Sequence, residues 1–175
     1  MQTRGTFTTR INIREPSRQQ LIELLNSRLA DTFDLYSQLK QAHWNVKGSD
    51  FLQLHELYDS VAAGVLEHLD MIAEPATALG GLAFGTTRLA ASASTLDEYP
   101  LDAVAGVETV EAISDRLAAY GSSVRAAIDA ALALADQDTA DLFIEGSRAI
   151  DKHLSLSKPT RRGGVSVTQP ALSAR

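Results

Sequence analysis

Between Pro16 and Gly48 the chain reads PSRQQLIELLNSRLADTFDLYSQLKQAHWNVKG, and Leu21, Leu25, Leu29, Tyr36, Leu39 and His43 recur in three- and four-residue steps. That period places them on one face of a long helix. Such a face must be buried against something, so a solitary helix is excluded. The spacing of Ser17 and Gln20 predicts a capping box at the start. Gly48 is expected to end the helix. Ser49 or Asp50 can then cap a second helix beginning near Phe51. Its stripe is Leu54, Leu57, Val61, Val65, Leu69 and Ile72. Pro75 is expected to end or kink it, and Gly80–Gly81 to loosen the chain.

Residues 82–106 are a mixed connection, with one small helix expected within ASASTLDEYPLDAVAG. VETVEAISDRLAAYGSSVRAAIDAALALAD is a third long amphipathic helix despite Gly121. DQDTADLFIEGSRAIDKHLSL is a fourth, with Asp138 as its expected N-cap. Four long helices with one long crossover describe an all-α fold. The ferritin-like four-helix bundle, with a short extra helix in the crossover, is one such arrangement. The expected organisation is a basic tail over 1–16, the bundle over 17–156 and a flexible basic tail over 157–175.

Composition narrows the chemistry. The 175 residues contain no cysteine, which excludes disulfides and thiolate metal sites. No apolar run approaches the length of a membrane span. MQTRGTFTTRINIREPS lacks an apolar signal core, which fits a cytoplasmic protein. The net charge of -6 is unevenly spread. Residues 1–18 carry four arginines against one glutamate, and residues 157–175 carry four cations and no acid. The body between them is strongly acidic.

Potential metal ligands cluster in QAHWNVKGSDFLQLHELYDSVAAGVLEHLDMIAEP. His55 with Asp59, and Asp70 with Glu74, are pairs spaced one helical turn apart. All four fall within roughly a 100° sector of the second helix, yet the pairs lie about 16 Å apart along its axis. One chain cannot wrap a single metal with both pairs. The pairs are, however, symmetric about the Gly64–Val65 position. A second copy packed antiparallel across a two-fold axis there would bring His55 to Glu74 and Asp59 to Asp70. Gly64, flanked by Ala62 and Ala63, would permit a close crossing. The spacing therefore predicts two equivalent metal sites per dimer, each built from both chains. His43, on the inward stripe of the first helix, can supply a further nitrogen. Imidazoles and carboxylates with open positions suit iron(II), and also accept zinc, cobalt or manganese. The same residues also permit ordinary solvated carboxylates and a core histidine.

AHWNVKGSDFLQLHELYDSVAAGVLEHLDMIAE closely resembles the Dps family, the DNA-binding proteins from starved cells or mini-ferritins. The likeness continues through EYPLD, DRLAAY and DTADLFIEGSRAIDKHL, and covers roughly residues 15 to 156. The resemblance implies a hollow homododecamer with ferroxidase centres at its two-fold interfaces. His43, His55 and Asp59 would come from one chain, Asp70 and Glu74 from its neighbour. It implies oxidation of iron(II) to iron(III), with hydrogen peroxide or dioxygen as oxidant, and storage of ferric mineral within the shell. Trp44 would lie beside the centre and intercept stray oxidising equivalents, or serve as a large core or interface residue. Ordinary ferritins use Glu-x-x-His pairs inside one bundle, and none of the four histidines here has a glutamate three residues before it. One departure stands out: the family usually has an arginine where this chain has Pro75, which is expected to bias Glu74 away from helical geometry.

Asp136, Asp138, Asp141 and Glu145 cluster at the start of the fourth helix. Near a three-fold axis they would line a negative pore drawing iron(II) inward, with Asp141 the best candidate by resemblance. Helix capping and dipole compensation account for the same acids. A function of another class is sequence-neutral DNA compaction through Arg4, Arg10, Lys158, Arg161, Arg162 and Arg175, which would associate the protein with the nucleoid. A third is a structural cage without metal chemistry.

Overall fold

A computed structural model describes residues 7–156 and resolves them into five helices: α1 (Glu15–Asn45), α2 (Phe51–Ala78), α3 (Thr87–Ala93), α4 (Gly106–Ala133) and α5 (Gln137–Leu156). Among the described residues there is no strand, only an isolated bridge between Lys47 and Ala105. The expected stripes are buried: Leu21, Leu25 and Leu39 of α1 and Val61 and Val65 of α2 meet Ile113, Leu117, Phe143 and Ile150 of α4 and α5. Removing each such side chain from water stabilises the fold by roughly 1.5–3 kcal/mol before entropy is counted.

Hydrogen bonds fix the helix directions. Thr32 meets Tyr120 and Gln38 meets Arg116, so α1 and α4 are antiparallel. The α1 and α2 helices form a hairpin through residues 46–50. Consequently α2 and α4 run parallel, which a tight turn cannot connect. Residues 79–105 make the crossover and carry α3. This is the all-α bundle with a short extra helix in its long crossover. The crossover is pinned by Asp31, which is fully buried in α1. Its carboxylate accepts from the Thr95 amide at 2.7 Å and from Arg28 at 3.0 Å.

Local details correct several expectations. The Ser17–Gln20 capping box does not form. Arg14 is the N-cap and offers no side-chain bond, while its carbonyl receives the Ser17 and Arg18 amides at 3.0 Å. Pro16 explains the early start, because its fixed φ suits the first turn, where an amide is not needed. Asp50 stands at the N-cap of α2, but no side-chain cap bond is made. The small helix lies at Thr87–Ala93, capped by the Thr86 hydroxyl, upstream of most of the stretch where it was expected. Asp136, rather than Asp138, precedes α5, and Asp138 falls in its first turn.

The end of α2 differs most. Pro75 does not end the helix, which runs on to Ala78. So close to the C-terminus, proline removes one intrahelical bond, and Glu74 keeps helical geometry. Gly80–Gly81 closes the helix instead of loosening it. Gly80 donates to the Thr77 carbonyl and Gly81 to the Ala76 carbonyl, both at 2.9 Å, with Gly80 at φ +90°. These are the two bonds of a Schellman cap. The N-terminal segment seals it: the Phe7 amide donates to Gly80 O at 2.7 Å and Thr9 Oγ1 to Ala78 O at 2.9 Å. A Cβ on Gly80 would fall 2.4 Å from the Phe7 carbonyl oxygen, so no other residue fits there.

Candidate metal centre

The α1–α2 hairpin brings His43 and His55 into contact. Their rings stack with centroids 3.7 Å apart and planes inclined by 21°. Each Nδ1 lies 2.8 Å from the other residue's backbone carbonyl oxygen. A carbonyl only accepts, so both Nδ1 atoms carry the proton. In the neutral rings both Nε2 atoms are then left with bare lone pairs. This reciprocal lock fixes the tautomer of each imidazole, as backbone carbonyls bonded to the far ring nitrogen do for metal-bound histidines. The Phe51 ring sits 5.1 Å from His55, tilted by 30°.

Asp59 stands one turn after His55. Its Oδ1 is 4.0 Å from His43 Nε2 and 2.5 Å from Lys40 Nζ. The Lys40 hydrogen bond holds the Asp59 carboxyl below its ordinary range; desolvation is the next largest influence and opposes it, and the Lys40 charge and the two imidazoles add smaller favourable contributions. It is therefore ionised at neutral pH. The Lys40 ammonium also lies 5.8 Å from the Trp44 ring centre. Trp44 is 66% exposed in the single chain, so it is no core residue.

Asp70 and Glu74 are exposed farther along α2, in register with the exposed Asp59 and Ala63. They do not reach the histidines of their own chain: among the described residues no three His, Asp or Glu side chains converge on a common point. The proposed crossing residue needs correction. Gly64 faces α5, where an added Cβ would lie 3.4 Å from His153 Nε2. The small residue on the outward strip is Ala63.

The remaining candidates fall elsewhere. Asp138, Asp141 and Glu145 are exposed on one face of α5. Asp136 is buried, and its carboxylate accepts from Thr139 Oγ1 at 2.6 Å. Arg10 is exposed on the N-terminal segment. Arg4, Lys158, Arg161, Arg162 and Arg175 lie outside the described residues. His68 is buried between α2 and α5, and burial pushes its pKa down. No helix of the described residues is long and apolar enough to cross a membrane. Sequence reasoning missed Lys40. Its one signal was its position one turn before Trp44, on the face that also carries His43.

The ferritin-like domain model matches residues 22–157. A DNA protection during starvation protein from Agrobacterium fabrum is 36% identical over 149 residues, covering 85% of this chain and 92% of the relative. One of the same name from Halobacterium salinarum is 32% identical, covering 73% and 70%. Among solved structures, Mycobacterium smegmatis Dps superposes with a TM-score of 0.82 at 25% identity, covering 86% of this chain and 90% of that one. DpsA14 from Streptomyces coelicolor gives 0.81 at 28% identity, covering 87% and 92%. A crossover bundle, a locked histidine pair at one end of its first hairpin and this degree of likeness together place the chain in the Dps family of ferritin-like proteins.

Proposed function

We propose that the protein oxidises iron(II) at centres shared between two subunits and stores the ferric product inside a dodecameric shell. The observation that carries this reading is the His43–His55 lock beside Asp59. Two imidazole nitrogens with fixed lone pairs and one ionised carboxylate make half of a ligand set for a borderline divalent cation. The chain does not complete that set itself. Asp70 and Glu74 lie exposed on the same helix strip, where an antiparallel neighbour would meet them.

Each residue then has a part. His43 and His55 bind iron through Nε2. Asp59, with Asp70 and Glu74 of the other subunit, supplies negative charge, which favours the ferric product over the ferrous substrate. Each iron gives up one electron, and peroxide, taking two electrons and two protons, leaves as water. Consuming peroxide and iron(II) together would protect DNA by suppressing hydroxyl radical, as the names of the relatives suggest. Trp44 is near enough to the centre to intercept a misdirected oxidising equivalent. Asp138, Asp141 and Glu145 would draw iron(II) towards the cavity. The same ligands would accept zinc, cobalt or manganese in place of iron.

Anaerobic mixing of the protein with iron(II) and then peroxide, followed by ferric absorbance, tests the reading. Oxidation faster than in buffer is expected, and no acceleration would leave only a structural bundle. Light scattering on the same sample should give twelve subunits. DNA binding through the tails is tested by gel shift with and without residues 157–175. Equal binding by both forms would remove the C-terminal cations from that role.

A further inference from the structure

Lys40 has a place at the centre that the ligand set alone does not explain. Its ammonium lies 2.5 Å from Asp59 Oδ1, the oxygen that also faces His43 Nε2 at 4.0 Å. A cation held between that nitrogen and that oxygen would have to share the carboxylate oxygen that the ammonium holds. Two like charges cannot share one carboxylate oxygen at hydrogen-bonding distance without strong repulsion. Lys40 has a second resting place within reach. Its Nζ is 5.8 Å from the centre of the Trp44 ring, inside the range where an ammonium is attracted to an indole face. The Lys40 side chain is 19% exposed while that of Asp59 is 58% exposed, so the lysine is the better packed of the two partners.

We propose that Lys40 is a displaceable counter-cation that aims Asp59 before metal arrives, yields the carboxylate to the metal, and moves onto the face of Trp44. This rests on the reading that His43, His55 and Asp59 bind metal. Lys40 is a positioning residue and never a ligand. Two consequences follow. The ammonium competes with every divalent cation, so the native centre binds metal more weakly than its ligands alone would allow. Metal loading also changes the charge beside the only tryptophan of the chain, which makes Trp44 fluorescence report the exchange.

The test uses the assembled protein and zinc(II), which is redox-inert, titrated by calorimetry and by tryptophan emission. K40M removes the charge and keeps the length, while K40R keeps the charge. K40M should bind zinc about threefold more tightly or better, the scale of an ion pair of this exposure. Its emission should respond less to zinc than that of the unaltered protein, and K40R should behave as the unaltered protein does. Unchanged or weaker zinc binding by K40M, or an undiminished emission response, overturns the proposal while leaving the metal centre in place. If neither the unaltered protein nor K40M binds zinc in a manner sensitive to H55A, the metal centre falls, and the role of Lys40 falls with it.

Discussion

Replacing Asp31 by alanine attacks the one buried carboxylate that ties the crossover to the bundle. Asp31 is fully buried. It accepts from Arg28 Nη2 at 3.0 Å, from the Thr95 amide at 2.7 Å and from the Thr95 hydroxyl at 3.1 Å to each oxygen. Alanine would strand the Arg28 guanidinium, itself only 8% exposed, with a hydrogen bond to Ser27 Oγ as its remaining side-chain partner. Breaking one side of a buried ion pair typically costs about 3–5 kcal/mol. Thr95 is exposed, so water can replace part of what its amide loses, which places the expected cost near the lower end, about 3 kcal/mol. Asparagine at the same position keeps one acceptor oxygen for the Thr95 amide but replaces the oxygen that meets Arg28 with an NH2 donor, for about 2 kcal/mol. Urea unfolding followed by far-UV circular dichroism, at one fixed subunit concentration, measures both variants. The midpoint should fall in the order unaltered, D31N, D31A at constant slope. A D31A cost below about 1 kcal/mol would refute the view that this network holds the crossover in place.

Other outcomes follow from single residues. Ala135 closes α4 at φ +61°, a left-handed position that favours glycine, so A135G should stabilise the chain by about 0.5–1 kcal/mol in the same urea assay. His153 is held below its ordinary pKa by burial first and then by the Lys152 and His68 charges. The unfolded chain therefore takes up the proton first as pH falls through about 6.5, and stability drops below that pH. In H153Q the loss of Tm between pH 7.5 and 5.5 should be smaller than in the unaltered protein; an equal loss would contradict the assignment. D70N should slow iron oxidation at least tenfold while light scattering shows the shell intact, and unchanged kinetics would remove Asp70 from the centre.

The helices were legible because the apolar period is long and uninterrupted: Leu21, Leu25 and Leu39 are buried as their spacing requires. Helix ends were not legible, because they depend on contacts distant in sequence. Gly80–Gly81 reads locally as a loose hinge, yet the amide of Phe7, far away in sequence, clamps it. Pro75 reads as a terminator, but α2 runs on to Ala78 beyond it and gives up only the one bond to the Met71 carbonyl. At the candidate centre, the pairing of His43 with His55 was implied by their motif, while the mutual carbonyl lock depends on how the α1–α2 hairpin closes. Gly64 was assigned to the crossing from the symmetry of the ligand pairs and its small size, and the bundle turns it towards His153. Lys40 went unread because a lysine before an aromatic residue is ordinary on a helix surface.

Complementation between two crippled chains tests subunit sharing most directly. One chain carries H43A, H55A and D59N, the other D70N and E74Q, and each alone should be inactive. Unfolded together in equal amounts and refolded, they should recover about a quarter of the iron-oxidation rate of the unaltered protein, because only interfaces joining the two intact halves form a whole centre. Recovery of no activity from mixed shells of normal size would contradict the account.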